Sequence, residues 1–177
     1  HAWLAQLRLA GGAIDQRSLV LSLLVAAAYL ALACLSLLPA RGLALVAPVW
    51  LPNAAAVVVL LRARLGNEWL FLALTCLASL ASNQVAQLPW HTALVFSFAN
   101  VVEIALVVSL TRTADGRPSD MSRLPDLARF VWAGGLLGPL ASCMLVAPMM
   151  GSNLAEVREG AVTWFLTDSM AMVLIVP

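Results

Sequence analysis

The sequence predicts an all-α integral membrane protein, a bundle of about six transmembrane helices whose second member is kinked or broken at Pro48 and Pro52. Three observations carry this reading. The 177 residues are 62% hydrophobic and 11% charged, against about 45–50% apolar and about 25% charged in soluble domains. Apolar runs close to the roughly 20 residues needed to cross a bilayer recur along the chain, separated by polar links. No period-two alternation appears, so helices rather than a barrel are expected to satisfy the backbone in lipid.

Residues 1–17, "HAWLAQLRLAGGAIDQR", are expected to be a cytoplasmic or interfacial segment. They lack the pattern of a signal peptide. They open on histidine rather than methionine, so the chain is read as a processed product or part of a longer one. Residues 18–177 are expected to form one membrane-integral domain, with spans near 18–38, 43–61, 69–86, 92–110, 127–149 and 161–176. In the second span Pro48 and Pro52 stand four apart, and each removes a backbone donor and disturbs the carbonyl one turn earlier. In the fifth span Gly134 and Gly138 form a GxxxG pair, extended by Ser142 and followed by Pro139. That ridge of small residues suits close helix packing, within the bundle or against a partner. Ahead of the last span, Asn153 precedes Glu156 by three residues, a spacing for a capping box and a short helix.

Ten cations are all arginines, and net charge is only +1, which excludes a strongly basic nucleic-acid surface. Arg8, Arg17, Arg62, Arg64, Arg112, Arg117, Arg123 and Arg129 fall on one side of the expected topology, and Arg41 and Arg158 on the other. The positive-inside bias therefore puts both the N-terminus and Pro177 in the cytoplasm. Cys34, Cys76 and Cys143 lie in apolar runs without CxxC spacing and read as small packing residues. There is no nucleotide loop, zinc motif or nucleophile constellation, so no catalytic residue, metal or cofactor is expected.

The polar residues inside the spans are not scattered in depth. At about 1.5 Å per helical residue, Asn83 lies roughly 5 Å from the outer surface, and Trp50 and Asp168 at about 10 Å. Asn53 and Asn100 come at about 13–15 Å, and Glu103 near 18 Å. A charge at the bilayer centre costs at least about 2.5 kcal/mol, so Glu103 and Asp168 are expected to face the bundle interior or a wet cavity. Glu103 is expected to carry a proton there and to donate it to a buried acceptor. Two readings stay open. The cluster is either interhelical glue holding a kinked second helix, or a small outward-opening pocket lined by Trp50, Asn53, Asn83, Asn100 and Asp168 and floored by Glu103.

The fragments "APVWLPNAAAVVVLLR", "SNQ", "NVVE", "PDLARF", "GP" and "WFLTDSMAMVLIVP" stand in that order over residues 43–177. Together they resemble the first-described class of bacterial membrane-associated sensor domain (MASE, class one). Its members are N-terminal input domains of diguanylate cyclases, cyclic-di-GMP phosphodiesterases and histidine kinases. The resemblance implies a multi-pass sensor of the bacterial inner membrane, with a cytoplasmic output domain in cis and a homodimeric assembly. It would answer to a small ligand or to a periplasmic or membrane protein partner. Matched position by position, the resemblance singles out Trp50, Pro52, Asn83, Asn100, Glu103, Gly138, Pro139, Trp164, Asp168 and Pro177. The family usually has a small residue, often with a hydroxyl, at the position of Asn53 and a glycine at that of Ala171. It is generally given about eight spans, so more chain is expected after Pro177. The rival readings are a small transporter or channel, and a structural subunit that uses the Gly134 to Ser142 ridge as its contact face.

Overall fold

The computed structural model describes residues 9, 11–37, 49–63, 65–112 and 119–177. Six helices run through them: α1 (Gln16–Leu37), α2 (Leu51–Arg62), α3 (Glu68–Val85), α4 (Trp90–Thr111), α5 (Leu124–Met149) and α6 (Leu154–Ile175). Among the described residues there is no β-strand, only one antiparallel bridge between Gly11 and Asn67. By length and composition α1, α4 and α5 can each cross a membrane, and α2 is a shorter apolar helix.

Each helix packs on the next in the order α1, α3, α4, α5, α6, α2 and back to α1, and α2 also packs on α4. The short α2 is therefore a central element. Of its 12 residues only Arg62 is exposed, as befits a helix that is apolar all round. The other helices turn large apolar side chains outward, among them Leu24 on α1, Phe98 on α4, Met144 on α5 and Leu174 on α6. In water such a surface would aggregate; against acyl chains it is solvated.

The irregularity of the second helix is a matter of where it starts. Val49 and Trp50 are non-helical, and α2 begins at Leu51 with Pro52 in its first turn. A first-turn proline loses no intrahelical bond, because its missing N–H would have had no partner there. Pro48 and residues 43–47 lie outside the described residues.

α5 carries the real distortion. A π turn at Ala133–Leu137 interrupts it, and the Gly138 N–H donates to Ala133 O five residues back. The cause is Pro139, which lacks an N–H and whose ring would collide with the carbonyl of Gly135 in a regular α turn. Gly138 is needed at the same place. A Cβ there would lie 2.4 Å from Val107 Cγ2 and 3.4 Å from Glu103 Cγ, so only glycine lets α5 approach α4 beside Glu103. Gly134, Gly138 and Ser142 are all buried inside the bundle. The small-residue ridge thus packs α5 on α4 and is not an outward contact face, which corrects the structural-subunit reading.

Caps set the other ends. Asp15 Oδ1 accepts from Ser18 N at the start of α1. Asn67 Oδ1 accepts from Leu70 N at the start of α3. Asn153 Oδ1 accepts from Glu156 N at 3.0 Å, and Glu156 Oε2 accepts in turn from Ser152 N at 2.8 Å. This cap does not open a separate short helix: it starts α6, which runs unbroken for 22 residues. Between α3 and α4, Gln87 takes φ 62°, the left-handed conformation that closes many helices.

Candidate functional site

Asn53 sits in the first turn of α2, where that helix meets α1, α4 and α6, and it wires three of those elements together. Tyr29 Oη on α1 donates to Asn53 Oδ1 at 2.7 Å. Asn53 Nδ2 donates to Asn100 Oδ1 at 3.0 Å and to Glu103 Oε2 at 2.9 Å, both on α4. Asn100 Nδ2 then donates to Ser79 Oγ on α3 at 3.1 Å. Asn100 and Glu103 can share this partner because residues three apart lie on one helix face. The fourth side is closed from α6, whose Asp168 carboxyl lies within hydrogen-bonding reach of Glu103. Tyr29, Asn53, Ser79, Asn100, Glu103 and Asp168 are all at most 2% exposed.

A second, smaller group lies beside it. Trp164 Nε1 on α6 donates to Ser142 Oγ at 3.1 Å, and Ser142 Oγ donates to Pro139 O at 3.1 Å. The Trp164 ring meets Phe96 edge to face at 4.9 Å. Asn83 stands apart. Its Nδ2 donates to Ser97 Oγ at 3.2 Å and lies 3.5 Å from Ala93 O, joining the last turn of α3 to the first turns of α4. Trp50 is buried next to the Tyr29 hydroxyl, and among the described residues its indole N–H has no hydrogen-bond acceptor.

Of the residues singled out from the sequence, Asn53, Asn100, Glu103 and Asp168 therefore meet at one point. Trp50 and Trp164 flank it, and Asn83 does not reach it. Tyr29 and Ser79 were not singled out. Tyr29 is the single tyrosine of the chain, and a phenol in an apolar helix needs a partner when buried. That was an available signal. Ser79 had none, since serine is common in membrane helices as a packing residue.

The opposite end of α4 holds a different construction. The Arg112 guanidinium grips the Glu68 carboxylate through both terminal nitrogens, and Nη2 also donates to Leu60 O at 2.9 Å. One arginine thus ties the end of α4 to the start of α3 and the end of α2. Beside it the chain before α1 is pinned by Gly12 N, which donates to Gly66 O at 2.9 Å, and by Gly66 N, which donates to Ser18 Oγ at 2.9 Å.

The family model MASE1, that of the membrane-associated sensor domains, matches residues 19–177. No curated protein and no solved structure matches the chain. The matched residues take in all of α2 to α6, α1 from residue 19 onward, and every member of the Asn53 network. MASE1 domains are input domains of signalling proteins and are not themselves catalytic, and this apolar helical chain belongs to the MASE1 family.

Proposed function

We propose that the chain is the sensory input domain of a bacterial inner-membrane signalling protein, with all six helices crossing the bilayer and both ends cytoplasmic. Its output is a cytoplasmic domain in cis, a diguanylate cyclase, a cyclic-di-GMP phosphodiesterase or a histidine kinase, and the working form is a dimer. The observation that carries the reading is the Asn53 network. Polar residues from α1, α2, α3 and α4 converge on one short central helix, with Asp168 of α6 against them. A helix held at one end by several buried polar bonds has discrete alternative arrangements rather than a continuum. That is what a two-state input element needs.

The proposed mechanism is a population shift. A small ligand or a protein partner engages the outer half of the bundle, on the side of Asn83, Trp50 and Trp164. It favours one arrangement of α2 against α4 and α6, and the displacement reaches the output through α6. The signal must bind the two arrangements with different affinity for this to operate. The arginines support the orientation. Arg62 ends α2, Arg112 follows α4 and Arg123 precedes α5, at the end where Arg112 joins α2 to α3.

The test uses the full-length protein in membranes. Asp168→Ala and Asn100→Ala, each with normal membrane insertion verified, are expected to change basal cyclic-di-GMP turnover or autophosphorylation, or its response to stimulus. Unchanged basal and stimulated output in both variants means that the network is only interhelical glue.

A further inference from the structure

We propose that Glu103 and Asp168 form a proton-binding site, two carboxyls on different helices holding one proton between them. The inference rests on a count of donors. Glu103 Oε2 accepts from Asn53 Nδ2, but among the described residues Glu103 Oε1 and Asp168 Oδ2 are buried with no donor. The hydrogens of Tyr29 and Asn53 are all used. The Tyr29 hydroxyl donates to Asn53 Oδ1, and both Asn53 amide hydrogens go to Asn100 and Glu103. One Asn100 amide hydrogen goes to Ser79 Oγ, and the Ser142 hydroxyl, which lies beside Glu103, is directed to Pro139 O.

No cation answers the charge either. Arg112 pairs with Glu68 and Arg129 with Asp126, and among the described residues neither Glu103 nor Asp168 has an ion-pair partner. Two carboxylates facing each other in a dry interior repel. One proton changes the sign of that interaction, because the neutral acid has one O–H to give and the carboxylate accepts it. Two carboxyls sharing one proton are a known stable arrangement, and a hydrogen bond to an ionised acceptor is about twice as strong as a neutral one. The titratable groups facing the pair are Tyr29 from α1 and Cys143 from α5. Asn53 from α2 presents an amide, which does not titrate.

The consequence is a site that responds to proton activity. With its proton, the pair draws α4 and α6 together across the bundle centre, although these two helices make little direct contact. Without it, the two charges push them apart. This holds whether or not the domain is a sensor, since it concerns only the occupancy of the pair.

The experiment is infrared spectroscopy of the purified chain in lipid, titrated upward from mildly acidic pH in H₂O and D₂O, with thermal stability followed in parallel. The parent is expected to show a protonated-carboxyl band that shifts on deuteration and is absent from E103Q/D168N. Its stability is expected to fall as pH rises through the loss of that band. Either single variant, E103Q or D168N, is expected to remove most of that fall, because one carboxylate beside an amide has a donor and no like charge. If the double variant fails to insert, the single variants carry the same comparison.

The proposal is overturned if the parent shows only carboxylate at these residues at every pH tested. It is also overturned if parent and variants lose stability in parallel. A carboxylate spectrum with stability that rises with sodium at constant ionic strength would assign the site to a cation instead, and would equally overturn it.

Discussion

Two buried acids of this protein sit on the same helix pair and are treated in opposite ways. Glu68, at the start of α3, is met by the full fork of Arg112, and the arginine's remaining reach caps a carbonyl of α2. Glu103, in the middle of α4, is met by one amide hydrogen and by another carboxyl. The first arrangement satisfies both ions and ties three helix ends, as a structural clamp should. The second leaves two buried carboxyl oxygens without donors among the described residues. Buried polar groups that fall short of satisfaction in this way lower stability. Chemically similar acids are thus separated by their partners alone.

Breaking the clamp should give the largest effect. Arg112→Ala removes the two-pronged contact to the buried Glu68 carboxylate and uncovers Leu60 O. Removing one partner of a fully buried pair costs about 3–5 kcal/mol; with the Arg112 side chain 31% exposed, a loss of about 2–4 kcal/mol is expected. Thermal unfolding of the domain in detergent measures it. A loss below that of Asn53→Ala would reverse the ranking of the two regions.

The network comes next. Asn53→Ala removes three hydrogen bonds at once, and at about 0.6 kcal/mol for each intramembrane bond the expected loss is about 2 kcal/mol. A double-mutant cycle of Asn53→Ala with Glu103→Gln should show coupling of at least about 0.5 kcal/mol. The cycle of Asn53→Ala with Arg112→Ala should be additive within about 0.5 kcal/mol. Additivity in the first cycle would mean that Asn53 and Glu103 do not act as a unit.

Asn83→Ala should lose only about 0.6 kcal/mol, since Ser97 keeps its own bond to Ala93 O at 2.7 Å. A larger loss would extend the network toward the C-terminal end of α3.

The smallest effect is at the cap of α6. The Ser152 backbone N–H holds the Glu156 carboxyl below the usual glutamate range, helped by the Ser152 hydroxyl and by Asn153. A group whose value is lowered by folding contributes stability that is full above its unfolded value and is lost as pH falls through the folded one. Glu156→Gln should therefore flatten the acid limb of the stability profile without touching the neutral region. An unchanged acid limb would assign that limb to other carboxyls.

The helices were legible because lipid imposes one rule. A segment that cannot bond to water must bond to itself, so each long apolar run between polar links reads as a helix before any contact is known. The family was legible in the fragments from "APVWLPN" to "WFLTDSM", and the MASE1 match spans residues 19–177. Position along each helix was also readable, since a constant rise turns residue number into height along the axis. What position cannot give is azimuth and neighbour. Asn83, which the depth reading grouped with Asn53 and Asn100, binds Ser97 instead, because α3 turns it toward the first turns of α4. Tyr29, Ser79 and Ser142 join through helix order, with α1 and α3 brought together and α2 placed at the centre.

Arg112 shows the same division most clearly. In sequence it is one more positive charge at the end of an apolar run, useful for orientation and nothing else. In the fold it grips Glu68, 44 residues away, and the carbonyl of Leu60, 52 residues away. Sequence by itself determined the membrane class, the helices, the family and the presence of two acids inside apolar runs. Only tertiary structure decided that one buried acid meets an arginine and the other meets an acid. Apolar periodicity records whether a residue avoids water; which residue it meets depends on how whole helices pack, and that is a property of the bundle.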